Sequence, residues 1–455
     1  MCSYYRRLFA GLILTASSQA VAAEGLLEVF RQAAINDPQL KAAAATCLAT
    51  LEIEPQARAL LLPQISAGAQ LDRNFSVDPG PDSAFNSHSY SLNLSQPLFR
   101  QGARVQQRLA DSIVNQAQAD FLAAQQALIL RVAERYFDVL AELDNLSFRE
   151  AEQKAIARQL EQASRRFEVG LITITDVHEA QAAFDLSEAE VITAGNQLSD
   201  SLEALREVTG QYYEKLNELE EEIPLTLPEP ADPEAWVVLA IANNPQLLSA
   251  AFAVEAAREN INLQRADRYP TVDLVASHFD SDSDRGNNIS GNAIGLRLNI
   301  LLYQGGAIAS RTREAAYSHE AAKQSLENQQ RFVIRQVRNA YRGLEAAISR
   351  VNALNQARIS NQSALEATEA GFDVGTRTIV DVLNAQQELY RARRDYAQSR
   401  YDYILNKLRL QQAAGQLAEA DLIAVSTLLQ DSAPPEALTL TSVGELAACV
   451  PVNPD

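Results

Sequence analysis

Asn36-Asp37-Pro38-Gln39-Leu40 returns as Asn243-Asn244-Pro245-Gln246-Leu247, 207 residues further along the chain. Leu62-Pro63-Gln64-Ile65 is answered by Tyr269-Pro270-Thr271-Val272 at the same offset. Phe167-Glu168-Val169-Gly170 is answered by Phe372-Asp373-Val374-Gly375, Thr175-Asp176-Val177 by Val380-Asp381-Val382, and Thr209-Gly210 by Ala414-Gly415, each 205 residues on. The offset shortens only across Asn74 to Ser89, where loop-forming residues gather. The chain is therefore a tandem duplication of a unit of about 205 residues. Solenoid repeats run to roughly 20–50 residues, so each copy here is one large half of a pseudo-symmetric body.

Within the first copy, Pro38 opens a helix, because the first turn has no use for its missing N–H. Gln39 to Leu62 is rich in Ala, Leu, Glu and Arg, which favour helix, and Pro63 stops it. The apolar period then changes from helical to alternating. Ile65, Ala67, Ala69 and Leu71 alternate with Ser66, Gly68, Gln70 and Asp72. After a loop at Pro79-Gly80-Pro81, Tyr90, Leu92 and Leu94 alternate with Ser91, Asn93 and Ser95. This predicts a β-hairpin with one apolar and one polar face.

From 103 to 168 the chain has neither Pro nor Gly. A helix of that length is about 100 Å long, the length of a coiled coil. Its seven-residue ladder of Leu146, Gln153, Leu160 and Phe167 is only partly apolar, and Ala151, Ala155, Ala157 and Ala163 crowd it. Close packing with polar content is expected rather than a leucine zipper. Gly170 breaks the helix and a return helix runs to Gly210. The helix before the strands and the return helix together match the long one, so two short helices end to end can lie alongside it. The second copy repeats the scheme: Pro245 opens and Pro270 stops. Strands carry Val272, Leu274 and Ala276, then Ile294, Leu296 and Leu298; a long helix covers 306–372 and a return helix 377–415. The expected organisation is a leader at 1–23, a first repeat at 24–210, a charged, Pro-rich connector or equatorial segment at 211–237, a second repeat at 238–415 and a C-terminal equatorial and irregular tail at 416–455, irregular from Asp431 on.

The 455-residue chain carries a formal net charge of −19, which repels phosphate backbones and disfavours nucleic-acid binding. Arg6-Arg7, the apolar run Leu8 to Ala16 and the small residues Ala20-Val21-Ala22-Ala23 read as a secretory leader. That run is too short to span a bilayer, and no later stretch is apolar enough to span one as a helix. Of three cysteines, Cys2 falls in the leader. Cys47 and Cys449 can be a disulfide, which a periplasmic location permits, or two free thiols. Neither Cys2 nor Cys47 sits where a lipoprotein needs its acylated Cys. His88, His178, His278 and His319 are scattered, without HExxH, and there is no CxxC, GxSxG or P-loop. Asp280, Asp282 and Asp284 lack the Gly and terminal Glu of a calcium loop, and Gln304-Gly305-Gly306 reads as a strand-to-helix corner. No enzyme, cofactor or metal site is expected.

Four strands cannot close a barrel, and open edges cannot sit in lipid. Three chains supply twelve, within the range of outer-membrane barrels, and wide enough for a modest aqueous pore. Ile294, Leu296 and Leu298 would then face lipid, Arg297 and Asn299 the lumen, with Tyr90 and Tyr303 near the aromatic girdles. Twelve helical strands from the same trimer would continue the barrel as a periplasmic tube with cyclic symmetry and, through the duplication, quasi-sixfold order.

At this point the residues resemble the TolC family of outer-membrane channel-tunnels over nearly the whole mature chain. The most specific parts are the two turns, Val169-Gly170-Leu171-Ile172-Thr173-Ile174-Thr175-Asp176-Val177 and Val374-Gly375-Thr376-Arg377-Thr378-Ile379-Val380-Asp381-Val382. Leu94-Ser95-Gln96-Pro97-Leu98-Phe99 and Leu301-Leu302-Tyr303-Gln304-Gly305-Gly306 resemble the family's strand-to-helix corners. The resemblance implies a mainly α homotrimer: a 12-stranded β-barrel in the outer membrane, four strands per chain, continued by a 12-helix α-barrel into the periplasm. It implies that the turns form the periplasmic entrance, with Arg377 bonding Thr175 and Asp176 across neighbouring helical pairs. Phe372 stands where the family has a Tyr, so one hydroxyl link is expected to be missing. Asp381 would line the constriction, and Asn384 replaces a second Asp, halving the ring charge. Val169, Gly170 and Leu171, with Val374, Gly375 and Thr376, would meet the helical hairpin of a periplasmic adaptor. The implied function is an exit duct serving an inner-membrane ABC or proton-driven transporter, with type I protein secretion preferred over small-molecule efflux. The reading from another class is a periplasmic coiled-coil structural protein without a pore.

Overall fold

The structure, a computed structural model, describes residues 23–75, 84–284, 286, 288–430 and 449. The leader, the loop at Pro79-Gly80-Pro81 and the tail beyond Gln430 other than Cys449 lie outside the described residues. In chain order the first repeat comprises α1 (Leu26–Asn36), α2 (Pro38–Leu51), α3 (Ile53–Ala59), β1 (Gln64–Phe75), β2 (Ala84–Arg100), α4 (Gln101–Glu168) and α5 (Ile174–Thr209). The second comprises α6 (Pro233–Asn243), α7 (Pro245–Ala266), β3 (Thr271–Ser283), β4 (Ile289–Asn299), α8 (Ala307–Asp373) and α9 (Ile379–Ala413), and α10 (Glu419–Ser426) follows. The expected class, mainly α with a four-stranded sheet and an internal duplication, is the one observed.

The long helices α4 and α8 have 68 and 67 residues, each about 100 Å. Along α4, the pair α2–α3 covers one half and α5 the other; α7 and α9 do the same for α8. The recurring Asn-x-Pro and x-Gly motifs meet where these shorter helices join end to end. Asp37 accepts a hydrogen bond from the Leu40 amide at 2.8 Å, and Asn244 from that of Leu247 at 3.1 Å. Each caps a helix whose first residue is proline, satisfying one of the orphan donors there. The Asn36 amide donates to the Thr209 carbonyl at 2.9 Å, and that of Asn244 to the Ala413 carbonyl at 3.0 Å. Gly210 and Gly415, at φ +74° and +73°, let the return helices end there in the left-handed conformation. Asp37 is buried and pairs with Arg131 of α4 at 2.6 Å.

All four strands form one antiparallel sheet in the order β1-β2-β3-β4. Ile65, Leu94, Ala276 and Ile294 lie in one row across it, as do Leu274 with Leu296 and Val272 with Leu298. Ile65, Ile294 and Leu296 are 71%, 78% and 69% exposed in one protomer. The opposite face carries Ser66, Asn93 and Ser277 in one row, and Arg297 opposite Asp273, which also pairs with Arg100 at 3.0 Å. The alternation thus separates an apolar outer face from a polar inner one. The outer edges of β1 and β4 have no strand partner within the sheet.

The structure corrects or extends the sequence reading in four places. The helix expected over 38–62 is broken into α2 and α3 at Glu52. β2 runs through Pro97 to Arg100, shifting register between Pro97 and Phe99, a bulge that accommodates a residue without an N–H. The connector at 211–237 is invaded by α6, which starts at Pro233 behind its cap Asp232. The equatorial part of the tail at 416–455 contains a short helix, α10. With α1 and the connector, these short helices form a collar around the middle of the long ones, tied by bridges between Glu24 and Leu216 and between Leu219 and Leu429. Its core gathers Leu26, Phe30, Tyr136, Phe137, Trp236 and Leu422. The Tyr136 hydroxyl is satisfied there by the Asn217 carbonyl at 2.8 Å. Among the described residues, no single helix is long and apolar enough to cross a membrane.

Candidate functional site

Opposite the sheet, the long helices end in two turns built alike. In the first, Gly170 at φ +76° allows the amides of Gly170 and Leu171 to bond the carbonyls of Phe167 and Arg166 at 2.8 and 2.9 Å. In the second, Gly375 at φ +77° allows Gly375 and Thr376 to bond the carbonyls of Phe372 and Gly371 at 3.0 and 2.9 Å. Each return helix then starts with a reciprocal capping box, Thr173 with Asp176 and Thr378 with Asp381. Asp381 accepts from the Thr378 amide and hydroxyl at 2.9 and 3.0 Å. Those two bonds hold its carboxyl below the usual carboxylate range, with Arg377 nearby adding to the effect. Asp176 makes the same pair of bonds to Thr173, both at 2.8 Å.

The tips are apolar and open. Val169, Leu171 and Val374 are 71%, 73% and 75% exposed, and Gly170, Thr175, Gly375, Thr376 and Asn384 are exposed beside them. The Thr376 hydroxyl folds back onto the Gly371 carbonyl at 3.0 Å. Arg377 is exposed and, among the described residues of one protomer, no hydrogen bond or ion pair joins it to Thr175 or Asp176.

Within the protomer the two tips are joined instead by a contact that the sequence reading missed. Arg166, four residues before Gly170, reaches Asp373, two before Gly375, at 2.7 Å. Its guanidinium also lies over the Phe372 ring, 4.6 Å from the centroid. Phe372 is buried in a small apolar cluster with Ile156, Leu365, Ile379 and Val382. The Phe372 phenyl is thus the platform for a cation–π contact. Its only sequence signal was that Arg166 and Asp373 each sit close before a turn glycine, 207 residues apart.

A second tie lies further up the hairpins. Glu152 on α4 is almost fully buried and meets Arg149 at 3.1 Å and Arg394 of α9 at 3.3 Å; Arg149 also pairs with Glu190 of α5. Despite two arginines, the Glu152 carboxyl is raised above its ordinary value, because the loss of solvation outweighs them. A group raised in the folded state favours folding below its unfolded pKa and loses that contribution as pH climbs through the folded value. Glu152→Gln mimics the protonated acid. It is expected to exceed the wild type in apparent thermal midpoint at neutral pH and to lose that advantage as the pH falls, since a neutral amide does not incur the loss of solvation that raises the carboxyl. A lower midpoint for Glu152→Gln at neutral pH would mean that the ion pairs dominate.

The comparisons agree with this geometry. Residues 29–211 and 236–416 each match the family described as outer membrane efflux protein, one match per repeat. Outer membrane protein TolC of Vibrio cholerae is 43% identical over 430 residues, covering 93% of this chain and 98% of that protein. The alkaline protease secretion protein AprF of Pseudomonas aeruginosa is 31% identical, covering 91% and 89%. Among solved structures, the outer membrane protein VceC of Vibrio cholerae superposes with a TM-score of 0.74 at 22% identity, over 86% of this chain and 96% of that one.

Proposed function

This chain belongs to the outer membrane efflux protein family, is an outer-membrane exit duct for efflux or secretion, and from that premise we propose how it is assembled and what it carries. Three copies close one cylinder. The observation that carries this is the single sheet of four strands with bare edges at β1 and β4. Unpaired edges in hydrocarbon cost several kcal/mol per orphaned group, and pairing β4 of one protomer with β1 of the next removes them all. The same rotation brings the second turn of one protomer beside the first turn of its neighbour. Arg377 then reaches Thr175 and Asp176, and Asp381 recurs around the axis in addition to capping its own helix.

The cargo we propose is protein exported through a type I, ATP-driven machine, on the strength of the relative named for alkaline protease secretion. The exposed apolar tips at Val169, Leu171 and Val374 take the adaptor, and an inner-membrane transporter supplies the energy. The resting entrance is narrow and weakly latched. An exposed ion pair contributes only ~0.2–1 kcal/mol, so three such links total about 1–3 kcal/mol on the same basis, within reach of a docking partner.

Planar-bilayer recording tests the assembly and the entrance together. The purified protein is expected to migrate as a trimer and give small, steady, cation-preferring channels. Arg377→Ser should enlarge the single-channel conductance. Asp381→Asn, which keeps an acceptor for the cap while removing the charge, should shift the reversal potential toward zero selectivity; Asp176→Asn is the matched control for capping. A detergent-free, water-soluble monomer would overturn the trimer. Unchanged conductance in Arg377→Ser would remove the latch, and an unaltered reversal potential in Asp381→Asn would remove the ring.

A further inference from the structure

We propose that Cys47 and Cys449 are oxidised to a disulfide that ties the C-terminal tail to the first repeat in the exported protein. The two residues are 402 positions apart in sequence, yet the thiol of Cys449 is in hydrogen-bond contact with that of Cys47 on α2. Both are buried, Cys47 at 2% and Cys449 at 0% exposure, in the apolar core of the collar. Cys2, the remaining cysteine of the chain, falls in the predicted leader. An outer-membrane protein folds on the oxidising side of the inner membrane, where such a pair forms and persists.

The timing follows from the burial. Burial, together with the neighbouring Cys449 and Asp120, pushes the Cys47 thiol up to about 12, and only a thiolate attacks a disulfide. In the folded protein the pair is therefore inert toward exchange. Oxidation must occur while the chain is still open, by thiol–disulfide exchange with the disulfide of a periplasmic dithiol oxidase. The Cys47 thiolate attacks one oxidase sulfur and expels the other as a thiolate, giving a mixed disulfide. The Cys449 thiolate then attacks Cys47 Sγ and expels the second oxidase sulfur. Two chain thiols become one disulfide, the oxidase disulfide becomes a dithiol, and the two thiol protons end on it. Once the core closes over the bond, small reductants cannot reach it.

The experiment uses the full chain taken from outer membranes lysed in excess iodoacetamide. After denaturation without reductant and tryptic digestion, the expected product is a linked pair, Ala42–Arg58 with Leu410–Asp455, lighter by two hydrogen atoms than the separate peptides. Reductant added to the native trimer should leave the linkage intact, whereas reductant added with denaturant should release both thiols for labelling. Reductant present during denaturation should shift the unfolding equilibrium by on the order of thirtyfold, the lower end of a disulfide's usual contribution. The double variant Cys47→Ser with Cys449→Ser should be insensitive to it. Two carbamidomethylated cysteines in the first, unreduced digest would overturn the proposal, as would equal reductant sensitivity of the wild type and the double variant.

Discussion

Gly415→Ala should remove most of the folded protein from outer membranes, while Gly210→Ala at the equivalent place in the first repeat should only lower its thermal midpoint. Both glycines end a return helix at nearly the same positive φ, so both substitutions share a strain of about 1–2 kcal/mol for placing a Cβ there. They differ in what the new methyl meets. At Gly210 it would lie 3.7 Å from the side chain of Asn36, an ordinary contact. At Gly415 it would lie 2.4 Å from the Asn243 carbonyl oxygen and 2.7 Å from the Asn244 Cα. Those atoms are backbone at the hinge between α6 and α7, and Asn244 there caps α7 while holding the end of α9. Overpacking adds about 1–3 kcal/mol, and displacing the cap about another 1. The sum is a large part of the stability of a typical domain. The measurement is the amount of folded protein in outer membranes and its apparent midpoint on heating. Similar behaviour of the two variants would mean that the α6–α7 hinge yields freely.

Arg166→Ala should raise the open probability and conductance of the channel as strongly as loss of Arg377, although it acts inside each protomer. Asp373 is largely exposed and Arg166 about a quarter so, which limits the ion pair to ~0.2–1 kcal/mol; the stacking on Phe372 adds about 0.5–1 kcal/mol. Together they hold the first tip against the second with about 1–2 kcal/mol per protomer on those same scales. Released in all three protomers of the proposed assembly, this amounts to a shift of two or more orders of magnitude in the closed-to-open ratio, at ~1.4 kcal/mol per decade. Two further variants separate the contributions. Asp373→Ser removes the ion pair and leaves the stacking, so its effect should be the smaller and should vanish in molar salt, where such pairs are screened. Arg166→Lys keeps a charge but loses the planar guanidinium and should fall between. Wild-type conductance in Arg166→Ala, beside an open Arg377→Ser, would show that the intraprotomer clasp plays no part in closure.

Much of the architecture was legible because it is written in changes of period. The step from helical spacing to alternation at Ile65 and Val272, and the glycines at 170 and 375, mark local events that need no knowledge of the rest of the chain. The capping boxes at Thr173 and Thr378 likewise have a three-residue signature. The collar was harder. Leu26, Val29, Phe30 and Ala33 have the spacing of one helical face, but the stretch lies against the leader, and α6 hides in a segment whose prolines suggest a linker. The Arg166–Phe372–Asp373 contact was out of reach for another reason. It joins residues more than 200 positions apart, and nothing local distinguishes an arginine that will be clasped from one left in solvent. The break between α2 and α3 does have a signal, Pro55, whose missing N–H and ring exclude the helical bond to Leu51, but the run of helix formers around it masks it.

The middle seam of the sheet sets an order of events. β1 with β2, and β3 with β4, are hairpins whose pairing is local, but β2 meets β3 with Leu94 opposite Ala276. Between those residues lie the whole of α4, α5, the connector, α6 and α7. Pairings that close so long a stretch of chain are the slow ones, while helices and hairpins form early. The nascent protein therefore acquires its periplasmic half first. The membrane sheet is zipped last, when the packed helices have already delivered the two hairpins side by side, so the lipid-facing surface is not completed until the part that must remain in water has taken shape.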